Sequence, residues 1–264
     1  MKYIGNILKM RTEYNTPVHY FLPIGKSEIA MNELLGQKLE LQFTGQINCI
    51  KCGKTTHKSF AQGYCYPCFL KSPETEECVL RPELCHAHEG IARDMDYAKE
   101  HCLIDHFVYL SYTSNIKVGV TRHTQIPTRW IDQGATVAIK IAKTPNRYLA
   151  GLIEVALKQY YADKTNWRNM IKNQEFNTDL LNECFKINDY LSDPLKAFLI
   201  QESNYTTINF PILSSPNKIV SINLDKEPHI YEILTGIKGQ YLIFESGKVI
   251  NIRNHSGYNI ELSI

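Results

Sequence analysis

Nowhere in the 264 residues do apolar positions run on for the roughly 18 that a membrane-spanning helix needs, so no membrane partner is expected. The first residues, MKYIGNILKMRTEYN, lack the unbroken apolar stretch and small-residue cleavage site of a secretory signal. That predicts a chain kept in the cytoplasm, with its cysteines reduced. An excess of either charge is also missing: 29 basic side chains face 27 acidic ones, a net charge of +2, which names no polyanionic partner globally. A hydrophobic fraction of 44% with 21% charged residues excludes a disordered chain. The length is near that at which single cores divide, which predicts two or three small modules.

Charge is nevertheless unevenly placed. From Cys49 to Ser72 acids are absent, while Lys51, Lys54, Lys58 and Lys71 are present. Pro73 to Asp105 is acidic, and His106 to Ala150 sets six basic residues against Asp132 alone. Two basic blocks therefore flank an acidic connector, a distribution that suits a polyanion such as nucleic acid.

Cysteine is nearly absent outside one window: seven of the eight lie between Cys49 and Cys102. The first four read Cys49-x2-Cys52 and Cys65-x2-Cys68. A two-residue spacer lets both thiolates of a knuckle reach one ion, and two knuckles complete a tetrahedron around zinc. Gly53 and Gly63 stand where the tight turns need positive φ. A looser second group follows, in which Cys78, Cys85, His88 and Cys102 compose a second zinc site, with His86 the competitor for the histidine place. Cys184 sits in an apolar helical pattern and reads as core. A zinc ribbon closed by four thiolates holds a surface in shape. Here that surface carries Lys51, Lys54, Lys58, Tyr64 and Tyr66, a mixture suited to phosphates and unstacked bases, although the aromatic residues equally suit a small ribbon core.

His106 to Leu110 and Ile116 to Val120 read as a hairpin. A helix is expected over Ile126 to Gln133, ending at Gly134, and a strand over Ala135 to Ala142. Thr144 with Pro145 reads as the start of a further helix, on which Leu149, Leu152, Ile153, Ala156 and Leu157 recur at helical spacing. On that helix Glu154 falls about 130° from the centre of the apolar stripe, facing away from the buried side, with Lys158 at i+4 as its partner.

This β-β-α-β-α segment resembles the GIY-YIG nuclease superfamily. The first signature looks like Phe107-Val108-Tyr109 and the second like Lys117-Val118-Gly119, with Lys117 where the family has its second tyrosine. The resemblance implies a small antiparallel sheet packed by helices, and divalent-metal-dependent cleavage of a phosphodiester. It implies that Glu154 holds Mg2+ or Mn2+, Arg129 offsets phosphate charge, Tyr109 assists in activating water and Asn166 orients the site. Lys117 departs from the pattern: an ammonium contacts phosphate well, but accepts a proton only if its pKa is depressed. Arg122 is a rival for the phosphate role, and Trp130 and Trp167 lie in stretches that read as a cleft for nucleic acid. The blocks Ser59 to Phe69, Pro82 to His88 and Lys117 to Ala135 also resemble an uncharacterised bacterial family, a domain of unknown function, that joins such Cys-x2-Cys pairs to a GIY-YIG-like core.

Strand-like runs at Val18 to Leu22 and Leu39 to Ile47, a short helix near Ala30 to Leu35, and five runs between Ile219 and Ser263 complete the reading. Thr178 to Gln201 is expected to be helical and broken near Asp193-Pro194. The expected fold is α+β: 1–48 paired with 205–264 in a β-barrel-like module, a zinc-binding module at 49–105, a GIY-YIG-like domain at 106–175 and a helical connector at 176–204. The expected function is zinc-containing nucleic-acid binding with Mg-dependent nuclease activity. Its alternatives are a non-catalytic RNA-binding or ribosome-associated adaptor, and a protein-interaction scaffold using the acidic connector.

Overall fold

Strand-forming runs from the two ends of the chain pair with each other. The computed structural model describes residues 1–172, 179–202 and 204–264 of an α+β protein. Two compact units emerge, Met1–Leu70 with Ile208–Ile264, and Lys71–Thr207.

The unit holding the termini begins with β1 (Lys2–Asn6), β2 (Arg11–Glu13), β3 (His19–Ile24), β4 (Ser27–Ala30), β5 (Lys38–Asn48) and β6 (Thr55–Thr56), and reaches into α1 (Tyr66–Lys71). The other unit carries α2 (Met95–His101), β7 (His106–Tyr112), β8 (Ile116–Arg122), α3 (Thr128–Asp132), β9 (Val137–Thr144), α4 (Arg147–Leu157), α5 (Trp167–Ile171), α6 (Leu180–Tyr190), α7 (Asp193–Lys196) and β10 (Thr206–Thr207). The chain then returns to the first unit with β11 (Val220–Ile222), β12 (His229–Lys238), β13 (Tyr241–Phe244), β14 (Lys248–Asn251) and β15 (Tyr258–Ser263). Among the described residues no helix is long and apolar enough to cross a membrane.

In the terminal unit the main sheet runs β1-β15-β5-β12-β13-β14-β11, with β6 added to β5. Alternation explains the pairing: Leu39 and Leu41 of β5 and Tyr258, Ile260 and Leu262 of β15 turn to the core while their neighbours face outward. The Met1 amino group donates to the Ile264 carbonyl at 2.7 Å. The expected barrel does not close. The sheet is open, ending at β1 and at the three-residue β11, which joins β14 in parallel, and so short an edge offers little template for pairing. The helix expected near Ala30 to Leu35 is one 3-10 turn, Met31–Leu34.

The other unit is built on the antiparallel order β10-β9-β7-β8. Val108 and Leu110 of central β7 pack against Ala150, Ile153 and Leu157 of α4 and against Leu180 and Ile187 of α6. Tyr109 points the other way and meets Trp130 of α3 edge-on, with ring centroids 5.9 Å apart. Two boundaries differ from expectation. Helix α3 starts only at Thr128, because the residue before a proline is pushed out of the helical region, and Ile126 is extended. Thr144 does not cap α4: it ends β9 opposite His106, and Asn146 caps instead, accepting from the Leu149 amide at 3.0 Å. The expected break at Asp193 separates α6 from α7, whereas the expected helical start at Thr178 lies outside the described residues.

Candidate functional sites

The four-thiol cluster belongs to the terminal unit. Strands β5 and β6 form the hairpin of the first knuckle, in which the Cys49 amide donates to the Lys54 carbonyl and the Gly53 amide to the Cys49 carbonyl. The second knuckle precedes and enters α1, where the Phe69 amide donates to the Cys65 carbonyl. Gly53 and Gly63 have φ of +73° and +134°, as the turns demand. The sulfurs of Cys49, Cys52, Cys65 and Cys68 all lie within 4.8 Å of one another. A tetrahedron with metal–sulfur bonds of about 2.3 Å spaces its sulfurs about 3.8 Å apart; Cys52 Sγ and Cys65 Sγ are 3.8 Å apart. This donor set fits zinc. Beside it Phe60, Tyr66 and Phe69 form a small aromatic cluster, with Lys58 Nζ 5.3 Å from the Phe60 ring centre. Lys51, Lys54, Lys58 and Tyr66 are exposed, and Tyr64 is half-buried.

The three-thiol cluster, in the other unit, is different in kind. Cys78, Cys85 and Cys102 are all buried, with their sulfurs within 4.8 Å of one another. The Cys85 thiol is drawn down to about 3 because Cys102 and Cys78 donate to it, and the Cys102 thiol is raised in return. Three soft donors this close suit zinc, which would displace their shared protons. Neither expected histidine joins them. The His88 ring stacks on Tyr148 at 4.4 Å between centroids, and exposed His86 pairs with Glu89 at 2.9 Å. What meets the sulfurs is Arg147 of α4. Its Nη1 donates to Cys78 Sγ at 3.6 Å, its Nη2 to the His101 carbonyl at 3.1 Å, and its backbone amide to the Cys102 carbonyl.

That contact has a consequence for α4. With 100° per residue, Arg147, Gly151, Glu154 and Lys158 share one face, opposite the stripe that packs on the sheet. The sequence places this face in solvent, yet Glu154 is only 9% exposed. The turn Pro82–Leu84, between Cys78 and Cys85, lies directly on it. A Cβ on Gly151 would stand 2.2 Å from the Glu83 backbone nitrogen, so no larger residue fits without movement. The cysteine module thus supplies α4 with a second buried side.

Tyr109 and Lys117 each lie within electrostatic reach of Arg129 and Glu154. Burial, then Arg129, depress the Lys117 pKa to about 8, while Glu154 and Asp163 oppose the shift. Burial raises the Glu154 carboxyl above the ordinary carboxylate range, against the pull of Lys158, 3.4 Å away, and of Lys117. Burial raises the Tyr109 hydroxyl pKa, against the pull of Arg129. Lys117 is 8% exposed, and among the described residues its ammonium has no hydrogen-bond or ion-pair partner. Such a group costs folding energy unless a ligand satisfies it.

Several expected site residues are taken up in packing or capping. Tyr109 is 1% exposed, and its hydroxyl accepts from Gln133 Nε2. Trp130, expected at a nucleic-acid surface, is 2% exposed and forms part of the packing over the sheet. Asn166 caps α5, accepting from the Asn169 amide at 3.3 Å, and Trp167 stacks with Arg168 at 4.3 Å. Arg122 is half-buried within electrostatic reach of Tyr97, Arg147 and Cys102, on the side of the thiols. Sequence reading missed Arg147, Gly151 and Glu83. The i, i+4, i+7 spacing of Arg147, Gly151 and Glu154 was the available signal.

Against this geometry, the chain belongs to the family described as "Protein of unknown function (DUF2797)", whose profile matches residues 36–260. No curated protein and no solved structure matches it.

Proposed function

We propose that this zinc protein binds nucleic acid, and that the cluster of Lys117, Arg129 and Glu154 takes one phosphodiester and cleaves it with a single Mg2+ or Mn2+. The observation that carries this reading is the Lys117 ammonium, on a side chain 8% exposed, without a hydrogen-bond or ion-pair partner among the described residues and within electrostatic reach of the Arg129 guanidinium and the Glu154 carboxylate. Two cations beside one hard anionic donor are the complement of a metal-bound phosphate. The order β7-β8-α3-β9-α4 is also that of the GIY-YIG resemblance. The role of each group follows from its chemistry. Arg129 offsets charge on the phosphate, and Glu154 holds the cation. The neutral amine of Lys117, made accessible by a pKa near 8, accepts a proton from water as the water oxygen bonds to phosphorus and the P–O bond to the leaving oxygen breaks. A cation held by Glu154 would supply charge stabilisation to the departing oxygen, which is reprotonated from solvent. The exposed lysines and Tyr66 of the four-thiol ribbon would add binding along the same kind of polymer.

A second reading, binding without cleavage, is favoured by the enclosure of Tyr109, which leaves that hydroxyl no access to attacking water. The two separate in one assay on DNA and RNA panels with Mg2+ or Mn2+. Nicking that stops in Glu154→Gln, with melting unchanged, supports the enzyme. Salt-sensitive binding lost in Lys117→Met, with no nicking in the wild type, supports the adaptor. No binding even at low salt defeats both and leaves the protein-interaction scaffold.

A further inference from the structure

The Pro82–Leu84 turn does more than bury a helix face. Gly151 admits the Glu83 backbone against α4, with Glu83 Cα 2.8 Å from where a Gly151 Cβ would stand. Glu154 is three residues further along the same face. The Glu83 side chain is 18% exposed; its Oε1 lies 3.4 Å from Arg81 Nε, whereas its Oε2 is wholly buried and has no hydrogen-bond partner. A carboxylate oxygen removed from water and left without a donor is costly, and a cation relieves that cost. Glu83 also lies within electrostatic reach of Glu154, on which it acts as a like charge. Lys117, nine-tenths buried and unpartnered among the described residues, lies within electrostatic reach of Glu154 and calls for an anion. A buried Glu83 oxygen without a donor, a Glu154 carboxylate matched by the single ammonium of Lys158, and a Lys117 ammonium short of an anion are answered together by a divalent metal carrying a phosphate.

We propose that Glu83 is a second carboxylate of the Glu154 site, delivered by the loop between Cys78 and Cys85, and that the two acids together hold the divalent cation. This rests on the reading of Glu154 as a metal-holding residue and extends it to a residue outside the GIY-YIG-like segment. The three-thiol cluster then has a role beyond stability. By folding its loop onto Gly151, with Arg147 bonded to Cys78 and to the His101 carbonyl, it places half of the cation's protein donors.

Mn2+ provides the probe, followed by its paramagnetic spectrum as it is titrated into the zinc-loaded, full-length protein at pH 7.5 without nucleic acid. Glu83→Gln should weaken Mn2+ binding more than about ten-fold, with zinc content unaltered. Its cation-free melting temperature should be no lower than that of the wild type, because a like charge beside Glu154 has been removed; a merely structural glutamate would lower it. Glu83→Asp, which keeps the charge but shortens the reach, should fall between. If Glu154→Gln loses Mn2+ while Glu83→Gln binds like the wild type, the inference is overturned and the function proposed above stands. If neither substitution alters Mn2+ binding, both are overturned. Should Glu83→Gln fold poorly, the Glu83→Asp titration decides alone: affinity equal to the wild type refutes the second ligand.

Discussion

The two cysteine clusters solve one chemical problem in opposite surroundings. The four-thiol cluster is self-sufficient: two knuckles close a tetrahedron at the end of a hairpin, and Cys52 remains exposed. In the three-thiol cluster every sulfur is buried, a guanidinium stands against one of them, and the loop joining the first two cysteines is wedged onto a helix that carries a buried carboxylate. A metal in the first would hold a local shape. A metal in the second would hold a neighbour's shape. A complete ligand set therefore need not mark the cluster that matters most to the candidate site.

The largest expected effect comes from breaking each cluster in turn. Zinc in such sites supplies about 10–16 kcal/mol of apparent folding free energy in isolated fingers. Wild-type protein should contain two zinc ions per chain, and Cys49→Ser and Cys102→Ser one each, by elemental analysis. In hydrogen exchange, Cys49→Ser should expose the 49–70 segment while β5 and β15 stay protected; Cys102→Ser should open α4. Protection of α4 in Cys102→Ser would remove the distinction between the clusters.

The buried lysines sharpen the comparison, since each unit holds one: Lys117 and Lys238, both with pKa lowered to about 8, chiefly by burial. Because the unfolded chain keeps these protons up to about 10.5, it binds more protons than the native state between pH 8 and 10.5. Stability should therefore rise with pH across that window, and the full penalty should be present below it. Lys117→Met and Lys238→Met should each flatten that rise and stabilise the protein near pH 7 by a few kcal/mol. A denaturant-unfolding series from pH 7 to 10.5 measures this. Phosphate or oligonucleotide should stabilise the wild type and not Lys117→Met, whereas Lys238→Met should keep the response.

Gly151→Ala is next. Helix propensity gains about 1 kcal/mol, but the new methyl meets backbone rather than a yielding side chain. Overpacking costs about 1–3 kcal/mol, so the net change should be a loss, seen as a lower melting temperature. The smallest effect concerns Asn166. As the cap of α5 it contributes about 1 kcal/mol, which Asn166→Ala should lose and Asn166→Asp should retain. Lost nucleic-acid binding in Asn166→Asp, with stability kept, would show a role beyond capping.

Local patterns were legible in the chain itself. The paired Cys-x2-Cys knuckles follow from spacing, and strands β5 and β15 from alternation. The apolar face of α4 follows from its 3.6-residue repeat. The reading failed where a partner comes from far along the sequence. Thr144 looks like a helix cap until His106 claims it for a strand. Trp130 looks like a stacking platform until the packing over β7 encloses it.

What the sequence determined by itself is the donor chemistry: thiolates close enough along the chain to find one ion, and side-chain periods that choose strand or helix. Only the tertiary structure decided which polar groups lose their water. Glu154 sits on a helix face that its own neighbours leave open, and it is buried because a loop some seventy residues earlier folds over it. Burial depends on that distant packing, and burial is what shifts the charges of Lys117 and Glu154; no local window of sequence contains it.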